Sequence, residues 1–221
     1  MGSLLNLVTP LHEGTKREYM PRLMDNKVAC MKEARKFEAN YWDGERRYGY
    51  GGYSYQPGRW APVARGLIER YGLEAGSSVL DLGCGKGYLL YEMQKLQPDL
   101  QLYGMDRSKH AIMHAHPDLN AALMHGRVEH PLPFADKDFD LVISLGCLHN
   151  LTLAELARTL PEVERVAERG YIMVESFRDE QEWFNLCAWC LTAESLMRPE
   201  DWIWAYEHFG YRGDYEFIYF T

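Results

Sequence analysis

The sequence predicts an α/β fold, a doubly wound and mostly parallel sheet covered by helices on both faces, preceded by an N-terminal helical extension. Three observations predict it. From Ala61 onward, apolar runs of strand length alternate with stretches of helix length, the pattern that builds parallel strands joined by crossover helices. Phe139-Asp140-Leu141-Val142-Ile143-Ser144 is a nearly continuous apolar run, as a strand buried on both faces requires. Ser78-Val79-Leu80-Asp81-Leu82 leads through the glycines 83, 85 and 87 into Tyr88-Leu89-Leu90, a strand handing over to a helix through a glycine loop.

The elements follow in order. Residues 17–39 are charged and helix-prone, with Tyr19, Leu23, Val28, Met31 and Phe37 forming a partial apolar stripe, and predict an N-terminal helical extension. Residues 41–60 interleave glycines with aromatics, which favours irregular backbone and predicts a loop. A helix over 61–71 leads to a strand over 78–82 and a helix over about 87–96. A strand ending at Gly104-Met105-Asp106 precedes a short helix N-capped by Ser108, whose hydroxyl suits a free amide of the first turn. Strands over 121–125 and 139–145, a helix over 153–168 and a strand over 171–175 follow. Helices over 180–191 and 199–209 and one strand over 215–220 complete the chain. Residues 1–58 thus read as an extension with an aromatic lid loop, and 59–221 as the ligand-binding domain.

Composition bounds the function. A chain of 221 residues, 47% hydrophobic and 25% charged, fits one domain with additions. The formal net charge of -8 repels a phosphate backbone and disfavours nucleic acid as partner. Cys30, Cys84, Cys147, Cys187 and Cys190 are an odd, scattered set and read as reduced thiols. With no leader pattern and no apolar run of about 18 residues, a cytoplasmic protein without membrane partner is expected. Cys187-Ala188-Trp189-Cys190 lacks a second ligand pair and reads as two buried thiols, so no metal site is expected.

The glycine loop carries the chemistry. Its backbone can approach a ligand closely, and the helix that follows offers free amides to an anionic group. Asp106 stands 19 residues after Gly87, near the spacing of about 20 at which a carboxylate grips a ribose. The dinucleotide fingerprint wants glycine where Tyr88 stands. The spacing Asp-x-Gly-x-Gly-x-Gly instead resembles motif I of class I methyltransferases. The resemblance continues through Tyr103-Gly104-Met105-Asp106 and the stretch from Pro131 to Ser144, covering about residues 60–175.

That resemblance implies a Rossmann-like methyltransferase fold with a seven-stranded type of sheet and S-adenosylmethionine as cofactor, leaving S-adenosylhomocysteine. It places Asp81, Gly83, Cys84, Gly85 and Gly87 against the methionine part and Asp106 on the ribose hydroxyls. Met105 and Arg107 would flank the adenine. Arg127, Val128 or Glu129 would cap its amino group, where the family commonly has Asp, and Ser144 closes the cofactor set.

Methyl transfer needs mainly a nucleophile held in line with the methyl group in a dry site. Residues 145–151 lie where ligands bind in such folds, at the carboxyl edge of the sheet. There His149 suits proton acceptance or simply caps the next helix, and Asn150 orients a ligand or serves as a turn residue. Glu175 lines the acceptor pocket or pairs with an arginine. Asn185 and Trp189, four apart on one helix face, would close the pocket, with core packing the plainer role for Trp189. Tyr48, Tyr50, Tyr53 and Trp60 suggest a lid whose rings favour a sulfonium and exclude water, or a loop pinned by its aromatics. This loop also resembles an N-terminal stretch in a bacterial branch of the family associated with surface polysaccharide or natural-product pathways. The expected reaction is methyl transfer to an oxygen or nitrogen of a small-molecule acceptor, by a monomer or homodimer. Cyclisation of the aminobutyrate arm to azetidine-2-carboxylate, or binding without turnover, are the alternatives.

Overall fold

The computed structural model describes residues 2–221. Its centre is one sheet of six strands: β1 (Ser78–Leu82), β2 (Gln101–Asp106), β3 (Ala122–His125), β4 (Leu141–Leu145), β5 (Gly170–Ser176) and β6 (Asp214–Tyr219). They lie in the order β3-β2-β1-β4-β5-β6, and every pairing is parallel. The order reverses beside β1, so the loops after β1 and β4 open a crevice at the carboxyl edge.

Alternation along the strands divides the core in two. Leu80 and Val142 face the layer holding Leu156, Leu160, Val163 and Trp202, contributed by α8 (Leu153–Val166) and α10 (Pro199–His208). Val79, Leu141 and Ile143 face the opposite layer with Val63, Leu67, Leu90 and Met93, from α5 (Ala61–Tyr71) and α6 (Tyr88–Leu96). α8 begins at a capping box: Thr152 accepts from the Glu155 amide, and the Glu155 carboxylate reaches back to the Thr152 amide at 2.8 Å. The short α7 (Lys109–Met113) starts at Ser108, whose hydroxyl accepts from the Ala111 amide at 3.1 Å. α9 (Glu180–Trp189) follows β5.

The structure refines the sequence reading in three places. The helical extension over 17–39 consists of α2 (Tyr19–Met24) and α3 (Lys27–Ala34), divided where Asn26 takes a left-handed conformation with φ 43°, which asparagine tolerates better than most residues. The 41–60 loop holds some regular structure: α4 (Ala39–Trp42) runs into its start, and a single 3-10 turn spans Arg46–Tyr48. The sheet has six strands rather than seven. β6 pairs directly with β5 along its whole length, and no antiparallel strand lies between them among the described residues. Instead Leu4 bridges Tyr215 on the outer edge of β6, covering part of an edge that would otherwise expose unpaired amides.

Two buried carboxylates of β6 hold this extension in place. Asp214 accepts from the Ser3 amide at 2.7 Å and the Tyr71 hydroxyl at 2.9 Å. Glu216 accepts from the amides of Leu7, Val8 and Thr9 at 2.7, 2.9 and 2.6 Å, and from the Tyr171 hydroxyl at 2.6 Å. The chain then passes through α1 (Thr9–Glu13) and across the carboxyl edge of the sheet.

Candidate functional site

The loop between β1 and α6 depends on glycine at two positions above all. Gly83 has φ 88°, and a Cβ there would lie 2.5 Å from the Cys147 Cβ. Gly85 has φ 55°, and a Cβ there would meet the Trp42 indole at 2.8 Å. The loop therefore presents bare backbone on both sides, toward the residues after β4 and toward the N-terminal segment.

Beside it opens a cleft of about 720 Å³, lined by Asp81, Gly83, Cys84, Gly85, His149 and Glu175 from the sheet edge. The N-terminal segment roofs it with Tyr41, Trp42, Tyr50, Tyr53 and Trp60. Asp81 is 4% exposed, and no donor reaches its carboxylate among the described residues. Burial, reinforced by repulsion from Asp106, pushes its pKa up to about 8. A buried carboxylate without a partner is costly, and its surroundings suit a cation entering from the cleft.

His149 is 4% exposed. Its Nδ1 accepts from the Glu175 amide at 3.3 Å, while Nε2 stands 3.6 Å from the Glu175 carboxylate. These partners place the ring proton on Nε2, facing Glu175. Glu175 Oε2 is buried and has no hydrogen-bond partner. The imidazole thus has no acceptor left for the cleft, whereas the Glu175 carboxylate lines it with Oε2 turned toward His149.

The remaining residues singled out from the sequence lie elsewhere. Asp106 accepts from the Gly85 amide at 2.8 Å and the Ser108 amide at 2.7 Å, so it braces the glycine loop and does not line the cleft. Gly87, Arg107, Val128, Glu129 and Ser144 are also outside the lining. Arg107 lies under the Phe37 ring at 4.5 Å, Val128 belongs to the core, and Glu129 pairs with Arg127, Nε to Oε1 being 2.6 Å. Ser144 donates to the Leu82 carbonyl at 2.9 Å, tying β4 to β1. Asn150 donates to the Cys147 carbonyl at 2.9 Å and shapes the loop after β4. Asn185 donates to the Phe220 carbonyl at 2.9 Å, and Tyr48 packs near Cys30 and Leu191.

Trp42 packs beside Asp106's partners, over Gly85 and against Ser108. The indole donates to the Ser108 hydroxyl at 2.8 Å and stacks on Tyr50 with centroids 5.3 Å apart. Tyr50 meets Tyr53 at 4.5 Å, and Tyr53 stacks on Tyr88 of α6 at 5.1 Å. The loop is thus both roof and pinned structure. Sequence reasoning missed the polar clamp that holds it. Lys86, in the glycine loop, donates to Asp43 at 2.7 Å and to the Tyr53 carbonyl at 2.7 Å, and the His110 Nε2 lies 2.7 Å from Asp43. A lysine among buried glycines was the available signal, but its partner is 43 residues away.

Comparison with known proteins follows the same lines. A family model described as a methyltransferase domain matches residues 73–209. An uncharacterized methyltransferase of Synechocystis sp. is 31% identical over 105 residues, 48% of this chain and 49% of that protein. The ribosomal RNA small subunit methyltransferase G of Lachnoclostridium phytofermentans is 32% identical over 108 residues, 45% of this chain and 43% of that protein. The chain thus spans about half the length of the curated relatives it matches. Among solved structures, a chain of the complex between the Haloferax volcanii Trm112 methyltransferase activator and a methyltransferase superposes with TM-score 0.56 at 18% identity, over 89% of this chain and 77% of that one. The YcgJ protein of Bacillus subtilis gives TM-score 0.54 at 19% identity, over 66% of each chain. These two likenesses are likenesses of fold.

Proposed function

Because the chain belongs to the methyltransferase-domain family, we propose that it is a class I enzyme that transfers a methyl group from S-adenosylmethionine to an oxygen or nitrogen of a small-molecule acceptor. One observation carries this reading. Two carboxylates that accept no hydrogen bond among the described residues, the buried Asp81 and the partly buried Glu175, line one cleft beside a glycine loop.

The residues present suit the cofactor. Asp81, kept protonated by burial, would release its proton to become the counter-charge of a cationic ligand, and Gly83 and Gly85 leave room that a Cβ would fill. When bound, S-adenosylmethionine supplies an electrophilic methyl group on a sulfonium. Asp81 would hold the ligand's ammonium, and that contact would draw its pKa back down. Tyr50 and Tyr53 would cover the cationic centre and keep water out. Glu175 would accept the proton lost by an acceptor hydroxyl or amine, with His149 orienting it through Nε2–H. Asp106 keeps lone pairs for ribose hydroxyls, and it gains access to them when Trp42 and Phe37 swing away. Residues 1–58 would then act as the lid and 59–221 as the cofactor domain. A cleft roofed by the chain's own loop, in a protein of net charge -8, supports a small acceptor over a nucleic acid. No helix among the described residues is long and apolar enough to cross a membrane.

The test is an acceptor panel incubated with methyl-labelled S-adenosylmethionine, with S-adenosylhomocysteine as the product that supports the reading. Glu175→Gln should lower kcat about tenfold or more while leaving calorimetric affinity for S-adenosylhomocysteine unchanged. Release of methylthioadenosine without a methylated acceptor, or no cofactor binding at all, would overturn it.

A further inference from the structure

The far wall of the same cleft carries three arginines gathered round one indole. The guanidinium carbons of Arg17, Arg22 and Arg46 lie 5.6, 4.8 and 5.0 Å from the Trp189 ring centroid, and all four residues line the cleft. Every hydrogen bond these guanidiniums make goes to a neutral group. Arg17 donates to the His12 and Thr15 carbonyls at 3.2 and 3.0 Å and to His12 Nδ1 at 3.0 Å. Arg22 donates to the Trp189 and Arg46 carbonyls, both at 2.9 Å, and Arg46 donates to the Gly49 carbonyl.

None of the three has a carboxylate partner among the described residues, whereas Arg35, Arg70 and Arg178 pair with Glu194, Asp214 and Glu182. Arg17 Nε is buried without any partner. His12 adds no compensating charge, because Nδ1 faces Arg17 and Nε2 lies 2.8 Å from the Tyr219 carbonyl. Burial lowers the pKa of all three arginines, and Arg46 adds repulsion on Arg17 and Arg22. Glu175 opposes this for Arg17 only from a distance; assembling like charges with no carboxylate in contact is unfavourable, and an oxyanion accepting from the free N–H groups reverses that.

The wall also stands on the side away from the glycine loop. Arg17 lies against Phe220 at 5.1 Å, just past β6. β6 is three strands from β1, or about 14 Å at ~4.8 Å per strand, while β2 with Asp106 lies on the other side of β1. Glu175, on β5, falls between.

We propose that Arg17, Arg22 and Arg46 form the acceptor's anion-recognition subsite. The acceptor is then a small molecule bearing a carboxylate or phosphate group, gripped at that group so that its nucleophilic oxygen or nitrogen faces Glu175. The acceptor role rests on the methyl-transfer reading, but the anion site itself does not. Lys16 and Arg59, also in the lining, add to the attraction for an anion approaching an acidic protein.

The test titrates inorganic phosphate and, separately, malonate into the full chain, with ionic strength held constant by sodium chloride. Tryptophan fluorescence is followed with and without saturating S-adenosylhomocysteine. Saturable binding is expected for at least one of the two anions, and which of them binds more tightly identifies the oxyanion. Arg17→Gln and Arg22→Gln should each weaken it about tenfold, with Arg22→Lys intermediate and S-adenosylhomocysteine affinity within about twofold of the parent. Absence of saturable binding to both anions, equal affinity in the glutamine variants, or a loss of S-adenosylhomocysteine affinity in its place would overturn the proposal. The last result would show that the arginines hold the cofactor's carboxylate. Should the variants fail to fold, the parent protein decides: phosphate or malonate must raise its Tm above chloride at equal ionic strength, and no rise refutes the site. Phosphate or malonate binding without S-adenosylhomocysteine binding would remove the methyl-transfer reading and leave the anion site standing.

Discussion

Replacing Asp81 by asparagine keeps the shape of the side chain and removes its charge, and the effect on stability should depend on pH in a defined direction. The carboxyl group has a pKa of about 8 in the folded protein against an ordinary value of 3.8. The folded state therefore holds a proton that the unfolded chain has released throughout the interval between those values. A group raised in this way contributes stability that is complete below about 3.8 and is lost as pH rises toward about 8. Each pH unit within the interval is worth about 1.4 kcal/mol. Between pH 6 and pH 8 the parent protein should thus lose about 2 kcal/mol that Asp81→Asn does not lose. For a chain of this size that corresponds to a change of roughly 4–8 °C in the Tm difference between the two proteins. Thermal unfolding followed by tryptophan fluorescence at pH 6, 7 and 8 measures it, and the difference between the two proteins cancels the other titrating groups. Calorimetry supplies the complement: S-adenosylmethionine should bind the parent more tightly as pH rises over the same interval, and Asp81→Asn with little pH dependence. A Tm difference that stays constant from pH 6 to pH 8 would show that Asp81 is already ionised in the folded protein, and the reasoning would fail.

Three further outcomes follow from the geometry. Gly83→Ala places a Cβ at positive φ and 2.5 Å from Cys147; a loss of about 2–4 kcal/mol in urea unfolding and weakened S-adenosylhomocysteine binding are expected. Lys86→Met frees Asp43 and the Tyr53 carbonyl, so trypsin should cut at Arg46, Arg47 or Arg59 about tenfold faster than in the parent, since local opening controls cleavage; an unchanged rate would mean that the stacked aromatics hold the loop without the clamp. Trp42→Ala removes the indole lying over Gly85, which should lower stability by about 3 kcal/mol and speed S-adenosylhomocysteine association in stopped flow; slower association would assign the indole to binding the ligand.

The parts of the fold legible in the sequence are those specified locally. The apolar run through Leu141–Leu145 needs no partner to be recognised as a doubly buried strand, and the glycines between β1 and α6 reveal a sharp turn through their own backbone freedom. What stayed hidden depends on contacts between distant residues. Nothing near Ser144 shows that its hydroxyl is engaged by Leu82, and nothing near Asp106 shows that Trp42 bonds to the neighbouring Ser108. The arginine wall was invisible for the same reason, since Arg17, Arg46 and Trp189 meet only after α9 and the extension have packed. The missing seventh strand was half legible: a single strand after α10 was apparent, while its parallel pairing with β5 depends on residues some forty positions away.

The attachment of residues 3–9 to Asp214 and Glu216 has a consequence for biosynthesis. The hydrogen-bond partners are 207–211 residues apart in sequence, so the ribosome makes the roof of the cleft long before the strand that anchors it. At about 5–20 residues per second, the nascent extension waits some ten to forty seconds before β6 emerges to receive it. The cleft therefore cannot close until β6 has emerged and paired, and until then the aromatic residues of its roof lack their anchor.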